Sequence, residues 1–347
     1  MLEALLRPPC GVLFSGGRDS STLLAVAMHV ARREGLEAPV ACTMRPEIGD
    51  DEELTFQELV IEHLQPVEWH KVAITDELDL LGPQAQRHLR RHGVLWPSLA
   101  HNANTVLPDL AGGTLIDGEG GDEVLGARRS APLAQLARRR RPPGPRLVRL
   151  VGRAVAPAPL RRWWARGIIR DVDGSWLRPD EAAAFAAALR ADSVGEPLSW
   201  PRSVQFMAQR RAVRVAMANL DLVAADSGVT RVHPLLDARF LQPLCGYGGR
   251  WGFPSRTACL RALVDDLLPD LVMRRLGKPV FNGTALGPHA RQFIQQWDLS
   301  GLDEGLVDPA ALDRLWRSEQ VPSGTFMLLQ RAWLSTQDAP SGPTMPA

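Results

Sequence analysis

The first third of the chain alternates short apolar runs with longer amphipathic stretches. "GVLFS" (residues 11–15) reads as a buried strand, and "SSTLLAVAMHVARREG" (20–35) places apolar residues at helical spacing before Gly35, a helix stop signal. "PVACTM" (39–44) reads as a second strand, and "DEELTFQELVIEHL" (51–64) as a helix with acids in its first turn, where they suit the helix dipole. "VEWHKVAI" (67–74) is a third strand, "TDELDLLGPQAQRHLRRHG" (75–93) is helical with a break at Pro83, and "GTLIDG" (113–118) is another short strand. Strands separated by helices of this length predict an α/β fold with a doubly wound parallel sheet and helices on both faces. Beyond residue 170 the pattern turns mainly helical, as in "DEAAAFAAALRAD" (180–192), "SVQFMAQRRAVRVAMANLDLVAAD" (203–226) and "RTACLRALVDDLLPDLVMRRL" (256–276). Three parts follow: a nucleotide-binding core over 1–126, an arginine-rich insert over 127–170 and a mainly helical remainder over 171–347.

In parallel sheets of this kind ligands gather outside the carboxyl ends of the strands. Two polar glycine stretches sit at that edge, "SGGRDSS" (15–21) and "DGEGGDE" (117–123). The first follows a strand and opens a helix, so backbone N–H groups and the positive helix end converge where glycine lets an anion approach closely. No lysine follows its glycines, so it is not a Walker A loop. In the second, acids interleaved with glycines suit a hard cation or acid–base work, or form a plain surface loop.

Residues 15–21 resemble the pyrophosphate loop of the N-type ATP pyrophosphatases. That resemblance implies an adenine nucleotide alpha hydrolase-like core, with Ser15, Gly16, Gly17, Ser20 and Ser21 around the pyrophosphate and Asp19 on Mg2+. The two stretches together resemble the synthetase domain of asparagine synthetases, which carries S-G-G-x-D-S-S and then S-G-E-G-x-D-E in this order. The likeness, covering about residues 10–335, implies ATP and Mg2+ as cofactors, Asp122 as second metal ligand and Gly118 in the nucleotide site. It also places Glu119 where the family has a residue that helps deprotonate the attacking amine. Asp117 departs from the family's serine. "HPLLDARF" (233–240) is similar to the family's R-x-P-F-L-D segment, with the arginine and a preceding glutamate out of register. "LPDLVMRRLGKPVF" (268–281) is similar to L-P … R-x-K-x-x-F with its spacing altered by one, which puts Lys278 at the catalytic lysine. Residues near Val40 to Met44 pack against adenine or form ordinary strand core.

What the resemblance implies is carboxylate adenylation with release of pyrophosphate, then attack by ammonia or a substrate amine. With the loop starting at Ser15 no room is expected for a glutaminase domain, so ammonia would come from solution or a partner protein. An amine already on the substrate is the logic of the β-lactam and lasso-peptide branches, and macrolactam cyclisation of a peptide is therefore one reading. A tRNA-modifying enzyme of the same loop type and a non-catalytic ATP-binding partner subunit are the others.

Composition narrows these readings. The chain of 347 residues is 45% hydrophobic and carries a net charge of +1, so nucleic acid is not expected as a partner over the whole surface. No apolar run approaches a membrane span and no basic leader precedes an apolar core, so no membrane partner is expected. Four scattered cysteines without CxxC spacing fit a reducing cytoplasm. Thirteen arginines and no acid lie between residues 128 and 170, either an electropositive surface for an acidic partner or a solvated, loose insert. The only lysines are Lys71 and Lys278, and a residue kept apart from an otherwise all-arginine usage suits a tunable ammonium.

Overall fold

The computed structural model describes residues 5–46, 51–66, 68–168, 174–264, 266–275 and 285–338. The chain divides into two compact units, one of Met1–Ile74, Ala103–Trp164 and Asp192–Pro279, the other of Thr75–Asn102, Ala165–Ala191 and Val280–Ala347.

The first unit is built on five strands, β1 (Cys10–Leu13), β2 (Val40–Pro46), β3 (Trp69–Ile74), β4 (Thr114–Ile116) and β5 (Thr230–Val232), in the order β3-β2-β1-β4-β5. All four pairings are parallel, with Gly11 beside Val40 and Leu115 on the other flank, and Leu115 beside Arg231. The order reverses at β1: the chain moves outward to β2 and β3, then returns to β1's other edge. The loops leaving β1 and β4 therefore lie side by side at the carboxyl ends of their strands, the place where sheets of this kind take ligands.

Helix α1 (Arg18–Glu34) follows β1 directly and buries Leu23, Leu24, Ala27, Met28 and Ala31 along one face, a stripe at helical spacing. Gly35 ends it in the left-handed region at φ 64°, as a C-terminal glycine does. Helix α2 (Asp51–Leu64) joins β2 to β3, and the short α4 (Gly121–Leu125) follows β4. The strands Val12 and Ile116 share a core with α1 and with the buried Leu260, Val272 and Met273. Gly113 is required at the start of β4, since a Cβ there would run into the Pro9 carbonyl.

Further along the first unit come α5 (Ala131–Ala137), α6 (Pro145–Val155), α7 (Ala158–Ile168) up to Trp164, α9 (Trp200–Ala208), α10 (Arg211–Ala225), α11 (Ala238–Gly248), α12 (Arg256–Val264) and α13 (Asp270–Arg274), while α8 (Pro179–Gly195) belongs to the second unit up to Ala191. The arginine-rich insert, for which a loose, solvated segment is one of the two sequence readings, folds as helices α5 to α7. The long helix expected over 203–226 is two, parting after Ala208, and that over 256–276 stops at Val264 and resumes after Pro269, whose ring disfavours helix in the residue before it.

In the second unit, residues 75–82 are turns and α3 runs over Pro83–His92, so the break expected at Pro83 is a helix start with proline in the first turn. Helices Pro288–Gln296, Pro309–Trp316 and Phe326–Asp338 pack with Leu80, Leu81 and Leu89 around Leu312 and Leu329. The Asp79 carboxylate there accepts the N–H groups of Leu81, His289 and Ala290.

Candidate functional site

At the carboxyl end of β1 the chain turns through Gly16 at φ 77°, where only glycine is unstrained. A Cβ there would press on the Gln57 side chain at 2.9 Å, whose Nε2 donates to the Ser15 carbonyl at 3.2 Å. Ser15 and Ser20 hold the loop from inside: their hydroxyls lie 3.2 Å apart, the Ser15 N–H donates to Ser20 Oγ, and Ser20 Oγ donates to the Gly17 carbonyl at 3.1 Å. Gly17 begins α1 with no side-chain cap, which leaves the helix's positive end for an outside partner. The Ser21 hydroxyl is fully buried and unpartnered among the described residues.

The acidic turn after β4 lies against this helix start. A Cβ on Gly118 would come within 3.2 Å of the Ser20 nitrogen, and one on Gly121 would collide with the Asp19 carboxylate. Gly120, at φ 84°, has Leu236 packed where its Cβ would be. The glycines of "DGEGGDE" are thus what lets two acidic segments meet. Gly121→Ala is expected to push the turn from Asp19 and, at a site where the sequence resemblance implies ATP, to weaken nucleotide binding by tenfold or more, a fold-change of about 1.4 kcal/mol, measured by calorimetric titration.

Asp19 and Asp122 meet at Arg256 of α12, whose Nη2 donates to Asp19 Oδ2 and Nη1 to Asp122 Oδ1. Burial lowers the readiness of Arg256 to carry charge, yet the two carboxylates outweigh it and raise its pKa. Burial dominates at Asp19, holding its pKa above the ordinary carboxylate value in spite of Arg256. Asp19 Oδ1 is buried with no partner. Arg18 also lies within electrostatic reach of both carboxylates, yet this oxygen stays unsatisfied, and two carboxylates with an unsatisfied oxygen form a donor set that a hard divalent cation fits. A further arginine, Arg275, is 7% exposed, donates from Nη1 to the Gly16 carbonyl at 3.1 Å and stacks 4.4 Å from the Phe56 ring.

Behind the turn is a buried ionic hub. Asp117, 1% exposed, accepts from Arg231 Nε on Oδ2, and on Oδ1 from the Glu119 N–H at 3.1 Å while facing His233 Nδ1 at 2.8 Å. His233 Nε2 reaches Asp221 Oδ1 of α10 at 3.1 Å. Desolvation opposes charge on Asp117, but Arg231 and His233 outweigh it and hold the carboxyl below its usual range. Desolvation opposes charge on His233 too, and Asp117 outweighs it, raising the imidazole. Asp117 thus finds its buried counter-ion in Arg231 of the neighbouring strand β5.

Met44 sits half-buried with Leu13, Val40 and Val72 against the core of Cys42 and Leu115, the packing of an ordinary strand. Lys278 lies outside the described residues, and Lys71 stacks over Trp69 at 3.6 Å. Arg256, Arg275 and Gln57 are additions that no local pattern announces, because each reaches the loop from a distant segment. A cavity of about 230 Å3 lies at the opposite edge of the sheet, among Cys10, Val40, His70 and Asp109, away from these groups. Burial pushes the thiols of Cys10, Cys42 and Cys259 up to about 12.

A model of the asparagine synthase family matches residues 6–336. The chain belongs to the asparagine synthase family. At that level it is one of the ATP-dependent amide-bond-forming synthetases, with a parallel five-stranded sheet in an α/β fold. Comparison with curated proteins finds no match. No helix among the described residues is long and apolar enough to cross a membrane.

Proposed function

We propose that this synthase-family chain adenylates a substrate carboxylate with ATP, releases pyrophosphate and joins the acyl group to an amine. The observation that carries this reading is the meeting of Asp19, Asp122 and the uncapped start of α1 at the carboxyl ends of β1 and β4. The "SGGRDSS" loop would receive the pyrophosphate end of ATP, with the α1 N–H groups facing its oxygens and Ser15 and Ser20 keeping the loop's shape. Asp19 and Asp122 would hold Mg2+, which when bound offsets triphosphate charge. Arg256 would then exchange its carboxylates for phosphate oxygens, for which its planar fork is equally suited.

In the second half-reaction Glu119 would take a proton from the incoming amine, since only the neutral form attacks. Asp117 would keep that residue in place through the Glu119 N–H. Lys278, assigned on the K-x-x-F match alone, would stabilise negative charge on the adenylate or the tetrahedral intermediate. The amine is ammonia or a group already on the substrate, which includes macrolactam closure of a peptide. Against a reaction that needs a pair of reactive thiols stands the burial of Cys10, Cys42 and Cys259, which pushes their pKa up to about 12 and leaves the half-buried Cys245, itself raised by burial, as the one remaining thiol of the four.

The test is ATP–pyrophosphate exchange with candidate acids, including aspartate and a leader-bearing peptide. Exchange that depends on one acid, and AMP release only when an amine is added, is the expected result. Absence of exchange with every acid, together with tight salt-sensitive RNA binding, would overturn the reading.

A further inference from the structure

The arginine-rich segment has an inner and an outer set of arginines. Arg129 donates to the carbonyls of Ala154 and Ala156, Arg161 to that of Val194 and Arg138 to that of Gly252. These bonds fix α5, α6 and α7 to the first unit's body. On α6, Leu147 and Ala154 are buried, while Arg146, Arg149 and Arg153 recur at helical spacing on an exposed face. Arg139, Arg140 and Arg141 in the preceding turn and Arg162 on α7 are exposed as well. Among the described residues none of Arg139, Arg140, Arg141, Arg146, Arg149 and Arg162 makes an ion pair.

Apolar side chains stand in water on the same helices, Leu150 beside the arginine stripe of α6 and Val148 and Val155 on its other flank. Val148 is 54% exposed, Val155 50% and Trp163 61%, with Leu150 and Leu160 close behind. A lone exposed leucine means nothing, but a run of them on two consecutive helices carrying unopposed arginines marks a contact surface.

We propose that the outer face of α6 and α7 docks on an anionic lipid surface. A peptide partner needs a groove to receive its side chains, whereas here the apolar groups protrude. RNA would use the arginines and Trp163, but gains nothing from Val148, Leu150, Val155 and Leu160. A bilayer interface takes all of them: short aliphatic chains and an indole enter the headgroup boundary, and guanidinium forks bind lipid phosphates. With a net charge of only +1 over the whole chain, the attraction is local to this face and weakens as salt rises. No helix among the described residues is long and apolar enough to span a membrane, and the inference is independent of the reaction.

The test is co-sedimentation of the full chain with vesicles of phosphatidylglycerol and phosphatidylcholine, against pure phosphatidylcholine. Binding only to the anionic vesicles, weakened by salt, is expected. Trp163→Ser and the triple change Arg146→Gln, Arg149→Gln, Arg162→Gln should each lower partitioning by about tenfold or more, with unchanged circular dichroism and melting because all four side chains are exposed. No binding to anionic vesicles overturns the proposal. So does undiminished binding by Trp163→Ser, which would mean charge attraction without insertion, or tighter capture of single-stranded RNA than of vesicles.

Discussion

Arg231→Met is expected to destabilise the chain by about 3–5 kcal/mol, the usual cost of leaving one partner of a buried ion pair alone. Asp117 has 1% of its surface exposed, so without Arg231 its carboxylate keeps only His233 and the Glu119 N–H. The double change Asp117→Leu with Arg231→Met should recover most of that loss, since an apolar pair of similar volume carries no desolvation penalty. It would not restore the hydrogen bond to the Glu119 N–H, so the double variant should fold and still transfer its acyl group to the amine poorly. Urea denaturation separates the stability part, and AMP release in the presence of an amine reads the other. A single loss near zero would remove the hub from the account of this fold.

The same hub sets a pH dependence. The depressed Asp117 pKa contributes stability that is present above its ordinary value of 3.8 and lost as pH falls through the lower folded value. The raised His233 pKa acts oppositely: its contribution is complete below 6.5 and lost as pH rises through the folded value. His233→Gln should therefore differ most from the parent chain below pH 6.5, the gap closing on the alkaline side. Melting temperatures across pH 5 to 9, roughly the range over which a perturbed histidine titrates, would show it.

The second large effect concerns the carboxylate pair. Asp19→Asn should lower ATP–pyrophosphate exchange by about 10²–10³-fold, the range for removing one preorganised charge partner. A readout apart from turnover comes from Arg256→Ala, which leaves Asp19 and Asp122 facing each other without their shared cation. Mg2+ alone should then raise the melting temperature of the variant more than that of the parent, because the ion enters a site no longer filled by a guanidinium. Equal shifts would mean that the pair does not bind the ion.

Much of this was legible in the order of residues. A strand, a glycine turn and an amphipathic helix are local events, so residues 10–35 declare both the element and its anion-facing end. The four strands read from pattern are all present, each long enough or apolar enough to stand out. β5 was not legible, since its three residues, Thr230–Val232 with arginine at the centre, make no apolar run of the kind that marks the equally short β4. The pairing of β4 with β5 was therefore hidden, and with it the reason for an aspartate at 117 and an arginine at 231. Sequence spacing alone determined that the two glycine stretches each turn at a strand end. Tertiary structure decided that they meet, that Arg256 and Arg275 complete them from segments about 240 and 260 residues away, and which arginines of the insert face inward. Those outcomes rest on contacts between residues distant in the chain, whose geometry is set by sheet order and packing and leaves no periodic trace in the sequence.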